Sequence, residues 1–146
     1  MLAGMKTTST VAAAGLCCLL DLAGIAAEPA RTEPAMKWAD STRLGRPFSK
    51  DPSVIRFGGR YLMYFSLPPF DKELAPAGAP KGWSIGIATS DDLDQWQKIG
   101  ELWPEQDCDR NGLCAPGAIV LGGKVHLFYQ TYGNGPKDAI CHAVSE

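Results

Sequence analysis

The side chains whose types and spacing first invite chemistry are three cysteines and two histidines in the C-terminal third of the sequence: Cys108, Cys114, Cys141, His126 and His142. Cys108 and Cys114 flank DRNGL, in which Asn111-Gly112 is a strong turn signal. A disulfide closing so short a loop would contribute about 2 kcal/mol on the chain-entropy estimate, and Cys141 would be left over. Zinc is the alternative, but a C-x5-C spacing fits no common structural site. His142, next to Cys141 on a strand, would also point to the opposite face. No metal and no cofactor is therefore expected. His126 lies inside an alternating apolar run and reads as a packed or edge histidine. Asp51 precedes Pro52, and the Asp-Pro dipeptide in general forms a turn.

These residues sit in a chain of 146 residues with 14 Lys+Arg against 16 Asp+Glu, a net charge of -2. Neither a polyanion-binding surface nor an acidic solvating tail is implied, so nucleic acid is excluded as a partner. Gly 16 and Pro 11 make up about 18% of the chain, against an average near 12%. They punctuate short runs rich in Val, Ile, Tyr and Phe, which predicts an all-β protein.

From Val11 to Ala27, VAAAGLCCLLDLAGIAA is apolar except for Asp21, too short for a comfortable membrane span, and ends in small residues. Residues 1–27 are expected to be a cleaved export signal, with cleavage after Ala26 or Ala27, giving a secreted or periplasmic protein with no membrane attachment afterwards. Cys17 and Cys18 leave with it. Residues 28–47, carrying Pro29, Pro34 and Pro47, read as an irregular leader.

The remainder contains an internal repeat. PSVIRFGGRYLMYFS (Pro52 to Ser66) aligns without a gap on PGAIVLGGKVHLFYQ (Pro116 to Gln130), and IGIATS (Ile85 to Ser90) matches ICHAVS (Ile140 to Ser145). Each unit opens with a hairpin whose Gly-Gly turn needs positive φ. In the first unit Asp91-Asp92-Leu93 forms a turn with self-capping carboxylates, and Gln95 to Ile99 form a fourth strand. Recurring four-stranded meanders with matching landmarks are the signature of a β-propeller. A single seven-stranded sandwich gives no reason for strands to recur in one order with one turn. The first blade spans about 48–103 and the second about 112–146. Since propellers typically have four to eight blades, the chain is expected to be the N-terminal part of a longer protein.

Asp51-Pro52-Ser53-Val54-Ile55, then Gly58-Gly59-Arg60-Tyr61-Leu62-Met63-Tyr64-Phe65-Ser66, then Ile87 to Leu93 with Trp96, resemble the opening blade of the five-bladed propeller glycosidases, above all glycoside hydrolase family 43. Ala115-Pro116, the second glycine turn and Lys124 to Tyr129 resemble that family's next blade. The likeness covers about Phe48 to Glu146. It implies hydrolysis of O-glycosyl bonds in oligo- or polysaccharides containing arabinose, xylose or related sugars, with substrate at one end of the central channel.

The resemblance also implies three carboxylates: an aspartate base on the first blade, an aspartate tuning pKa on the second, and a glutamate acid further on. The base maps onto Asp51, whose place before proline predicts an extended backbone aimed at the channel axis. Where the second carboxylate is due stand Gly117 and, at the position matching Asp51, Ala115. The acid is expected beyond Glu146, so the 146 residues alone are expected to be inactive. The departure at Gly117 also keeps open a carbohydrate-binding propeller without catalysis. A phosphorylase on the same fold would need phosphate-binding basic residues that are not evident.

Glu105, Asp107 and Asp109 lie between the blades, as a solvated loop or a replacement for the missing carboxylate. His142 stands where the first unit has Ile87, with acid catalysis or sugar contact as its functional reading. Trp83, Trp96 and Trp103 suit sugar stacking, although packing between blades is the expected role of Trp96. The loop from Leu67 to Gly82 reads as a substrate rim or surface covering.

Overall fold

A computed structural model of the protein describes residues 36–146. The export signal expected over 1–27 and the leader up to residue 35 lie outside the described residues. Seven strands follow in order: β1 Lys50–Phe57, β2 Arg60–Leu67, β3 Ser84–Ser90, β4 Gln97–Leu102, β5 Leu113–Leu121, β6 Lys124–Thr131 and β7 Ile140–Val144. A single 3-10 turn, Gly135–Lys137, precedes β7. The strands form two antiparallel meanders, a four-stranded sheet β1-β2-β3-β4 and a three-stranded sheet β5-β6-β7. The all-β expectation and the two-unit repeat both hold.

The repeated turns form as the glycines dictate. Gly58 and Gly59 have φ of 59° and 83°, Gly122 and Gly123 of 59° and 76°, the paired positive values of a primed two-residue hairpin whose twist matches its strands. Asp92 Oδ1 caps the next turn by accepting from the backbone N–H of Asp94 and Gln95 at 2.9 and 2.8 Å. Those bonds hold its carboxyl below the usual range. The fourth strand begins at Gln97 rather than Gln95. Gln95 and Trp96 complete the turn, where the indole N–H of Trp96 donates to the Leu93 carbonyl at 3.0 Å.

Alternation along β2 splits the apolar side chains between two cores. Tyr64 points toward the second sheet and packs with Ile85, Leu113, Val125 and Leu127. Met63, Phe65 and Leu67 point the other way and are covered by Trp38 and Trp96. Trp96 therefore closes the face of the first sheet turned away from the second. Gly86 admits the Phe65 ring: a Cβ there would lie 2.3 Å from Phe65 Cζ.

Residues 38–49 contain no helix and reach their first strand only at Lys50, yet they are fastened to the first sheet. Trp38 meets Phe65 edge-on with ring centroids 4.8 Å apart. Arg43, 1% exposed, bonds Glu101 Oε2 at 2.5 Å, the Ser84 hydroxyl and the Pro68 carbonyl, and stacks on Phe70.

The outer face of the second sheet is apolar and open. Ile119, Leu121, Phe128, Ile140 and Val144 are 50, 62, 41, 72 and 46% exposed, and strand register puts them on one side. Contiguous exposed apolar surface favours association. Residues 28–146 are expected to self-associate at micromolar concentration, and Ile140→Lys, at the most exposed of these sites, to return them toward the monomer. Sedimentation velocity giving a compact monomer before the substitution would contradict this.

Candidate active site around Asp51

The first strands of the two sheets, β1 and β5, begin side by side, and both begin with a defect. Pairing is interrupted between Lys50 and Ser53 in β1, and between Cys114 and Gly117 in β5. At each bulge the residue before proline takes a left-handed backbone: φ is 53° at Asp51 and 51° at Ala115. This corrects the extended geometry expected for Asp51. The bulge inserts unpaired residues and turns the backbone, and this outweighs the local preference of a pre-proline residue. Aspartate tolerates the left-handed region better than most residues. Alanine at the equivalent point carries the full strain, so Ala115→Gly is expected to make the protein roughly 1 kcal/mol more stable. A urea midpoint unchanged or lowered by that substitution would remove the strain argument.

One side-chain relay ties the two bulges together. The backbone N–H of Ala115 donates to Ser66 Oγ at 2.8 Å, and Ser66 Oγ donates to Asp51 Oδ2 at 2.9 Å. Because Ser66 accepts from a backbone donor, its single hydroxyl proton is committed to Asp51. The second blade thus orients the carboxylate of the first. Ser53 Oγ adds a second link by accepting from Ala118 N–H at 2.9 Å. Lys50 Nζ is 3.6 Å from the same Asp51 Oδ2, and the Asp51 side chain is 40% exposed. Oδ2 is therefore engaged, and among the described residues Oδ1 has no hydrogen-bond partner.

Trp83 borders this cluster. Lys50 Nζ lies 4.3 Å from its ring centroid, and Phe48 and Tyr132 each lie 6.1 Å from it, centroid to centroid. The end of the loop from Leu67 to Gly82 is pinned here: Leu113 N–H donates to the Trp83 carbonyl at 3.0 Å, and a Cβ at Gly82 would collide with the Asn111 carbonyl at 1.9 Å. Cys114 is buried beside these groups. Burial pushes its thiol pKa up, Lys50 opposes this, and Asp51 and Asp138 add to it.

The remaining candidates fall elsewhere. Cys108, Cys114 and Cys141 are all free thiols in this structure, Cys108 exposed and its candidate partner Cys114 buried. His142 stacks on Phe128 at 4.5 Å, and its Nε2 lies 3.0 Å from His126 Nδ1. That pair belongs to the outer face of the second sheet rather than to the Asp51 relay. Among the described residues no three His, Cys, Asp or Glu side chains gather as metal ligands would.

Asp109 departs from the solvated-loop reading. It is 3% exposed, and its Oδ1 accepts from the N–H groups of Glu105 and Gln106 at 3.1 and 2.8 Å. Its Oδ2 faces the Tyr129 hydroxyl at 3.3 Å, and burial together with this carboxylate pushes the Tyr129 pKa up to about 12. Asp109 thereby folds the inter-blade loop around a cavity of about 420 Å³ that also includes Trp103 and Glu105. Trp103 donates its indole N–H to Glu101 Oε2 at 2.6 Å. Gly117 leaves space open, since a Cβ there would meet only the Phe128 carbonyl at 4.0 Å.

Residues 47–145 match the glycosyl hydrolases family 32 N-terminal domain. The chain belongs to this family. It is a five-bladed propeller family of glycosidases, so the resemblance to the propeller glycosidases holds, and the family model that matches is that of family 32. The fold agrees with that of Zg3597, a family 117 glycoside hydrolase of the marine bacterium Zobellia galactanivorans, with a TM-score of 0.52 at 23% identity. That match covers 66% of this chain and 34% of the other, so this family 32 chain spans about a third of the enzyme's length. An exo-1,5-alpha-L-arabinanase from a bovine ruminal metagenomic library matches with a TM-score of 0.49 at 21% identity, over 74% of this chain and 33% of its own. The family 43 endo-arabinanase of Bacillus licheniformis matches with a TM-score of 0.30 at 14% identity, over 68% and 52%. No curated protein matches the chain in sequence.

Proposed function

We propose that the chain carries the base-bearing part of an exported glycosidase that hydrolyses O-glycosyl bonds, with glycans containing arabinose, xylose or related sugars as substrates. Membership of a glycosyl hydrolase family supports the reaction class. The observation that carries the reading is Asp51 itself: a half-exposed carboxylate on a strained bulge, with one oxygen held by Ser66 and the other free. Backbone strain persists where surrounding structure enforces it, and it concentrates at functional sites.

In this reading Asp51 Oδ1 takes a proton from water as that water attacks the anomeric carbon. Ser66 and Lys50, both at Oδ2, aim the carboxylate. An inverting hydrolase places its water between two carboxyl groups about 6.5–9.5 Å apart, so the partner acid belongs to another blade. Trp83 offers a flat face for a sugar ring. The reaction is a property of the whole protein, and the 146 residues alone are expected to be inactive.

Ala115 and Gly117, which hold no carboxylate where the second one is due, favour a second reading as a carbohydrate-binding propeller. Turnover on an arabinoside and xyloside panel by the full-length protein, measured beside sugar affinity by calorimetry, decides between them. Hydrolysis supports the glycosidase; binding without turnover supports the binding module.

A further inference from the structure

The inter-blade loop and the last strand of the second sheet bring two thiols together that lie far apart in sequence. Tyr129 pairs with Cys141 across β6 and β7. The Tyr129 hydroxyl reaches Asp109, the residue after Cys108, at 3.3 Å. On the other side of the loop, Asn134 Nδ2 donates to the Cys108 carbonyl at 3.1 Å. These two tethers, one from β6 and one from the turn before β7, bring the Cys108 segment to the side of the sheet where Cys141 pairs with Tyr129. Desolvation first, and the neighbouring Cys108 thiol after it, raise the Cys141 pKa. Cys108 is exposed and Cys141 half-buried, whereas Cys114 is buried at the start of β5.

We propose that Cys108 and Cys141 are a disulfide-forming pair that staples the inter-blade loop to β7, with Cys114 remaining a free thiol. The step is a two-electron oxidation by a small-molecule or protein disulfide. One cysteine thiolate attacks the oxidant's sulfur and expels a thiolate. The second cysteine, losing its proton, attacks the mixed disulfide, forms the Cys108–Cys141 bond and releases the other thiolate. Two thiols become one disulfide and the oxidant's disulfide becomes two thiols. Accessibility selects Cys108 and Cys141 over Cys114, since a buried thiol in apolar surroundings is inert. The bridge would enclose the whole β5-β6 hairpin, so in the chain-entropy account it restricts the unfolded chain more than a Cys108–Cys114 link would.

The test uses the full-length protein, reduced, freed of reductant, then equilibrated with excess oxidised glutathione at pH 8. Remaining thiols are blocked with an alkylating reagent and the protein is cut with trypsin. Arg110, Lys124 and Lys137 separate the three cysteines, which therefore fall in peptides ending at Arg110, ending at Lys124 and beginning at Asp138. The expected product joins the first to the third, two hydrogen masses lighter than their sum, with the middle peptide unlinked. Cys114→Ser leaves this product unchanged. Cys141→Ser abolishes it, and with it the rise in melting temperature expected on oxidation. A link between the first and second peptides, or Cys108 and Cys141 both recovered unlinked after oxidation, overturns the proposal. Either result leaves the glycosidase reading untouched, because Asp51 and Ser66 take no part.

Discussion

Asp51→Asn is expected to lower turnover of the full-length protein by about 10²–10⁴-fold, the usual contribution of a positioned acid or base, while sugar affinity largely survives. Asparagine keeps the volume and, like aspartate, accepts the left-handed backbone that the bulge imposes at φ 53°. Its side-chain oxygen can still accept from Ser66, whose proton the Ala115 N–H directs toward it. What is lost, on the proposed mechanism, is the carboxylate oxygen that takes a proton from water. Fold, relay and stacking surface remain, so the substitution separates chemistry from structure. If Asp51 served only to form the bulge, asparagine would replace it with little change. Near-normal turnover in Asp51→Asn would falsify the assignment.

Arg43→Ala is expected to cost about 3–5 kcal/mol of stability, the effect of breaking a buried ion pair by removing one partner. The guanidinium is buried and joins three separate stretches: the Pro68 carbonyl after β2, the Ser84 hydroxyl on β3 and Glu101 on β4. Alanine would take from Glu101, only 14% exposed, its buried guanidinium partner and leave it Lys98 and Trp103, and would uncouple residues 38–49 from the sheet. A urea denaturation midpoint that moves by less than about a quarter of that cost would count against the role. The same pair predicts the response to acid. Burial pushes the Glu101 carboxyl up, but Lys98, Trp103 and Arg43 outweigh it and hold its pKa below the ordinary value. Its folded pKa thus lies below the unfolded value of about 4.3. The stability it contributes is complete above that range and is lost as pH falls through the folded pKa. In Arg43→Ala this depression shrinks, and the acid-unfolding midpoint should move to higher pH.

Arg43 shows why part of the architecture was not legible in the chain. It stands in a proline-punctuated stretch with no periodicity, and its partners lie 25, 41 and 58 residues away. No local rule links an arginine in a leader to a serine and a glutamate on separate strands. Asp109 was missed for the same reason: among acidic neighbours it reads as solvated, yet the loop closes over it and Tyr129 comes from another strand. Cys108 and Cys114 show the same thing: six residues apart in sequence, one is exposed on the inter-blade loop and the other buried at the start of β5.

The sequence by itself determined the all-β class, the two meanders, the Gly-Gly hairpins and the correspondence of Asp51 with Ala115. Alternation and turn chemistry are properties of neighbouring residues, and a repeat shows itself by recurring. Tertiary structure alone decided that both matching positions are left-handed bulges and that Ser66 carries orientation from one blade to the other. It also decided that the second blade keeps, at Ala115, the left-handed backbone of the aspartate position without its carboxylate. Bulge geometry arises from two strands failing to pair residue for residue, and a relay arises from two sheets meeting. Neither is written in the order of residues along one strand.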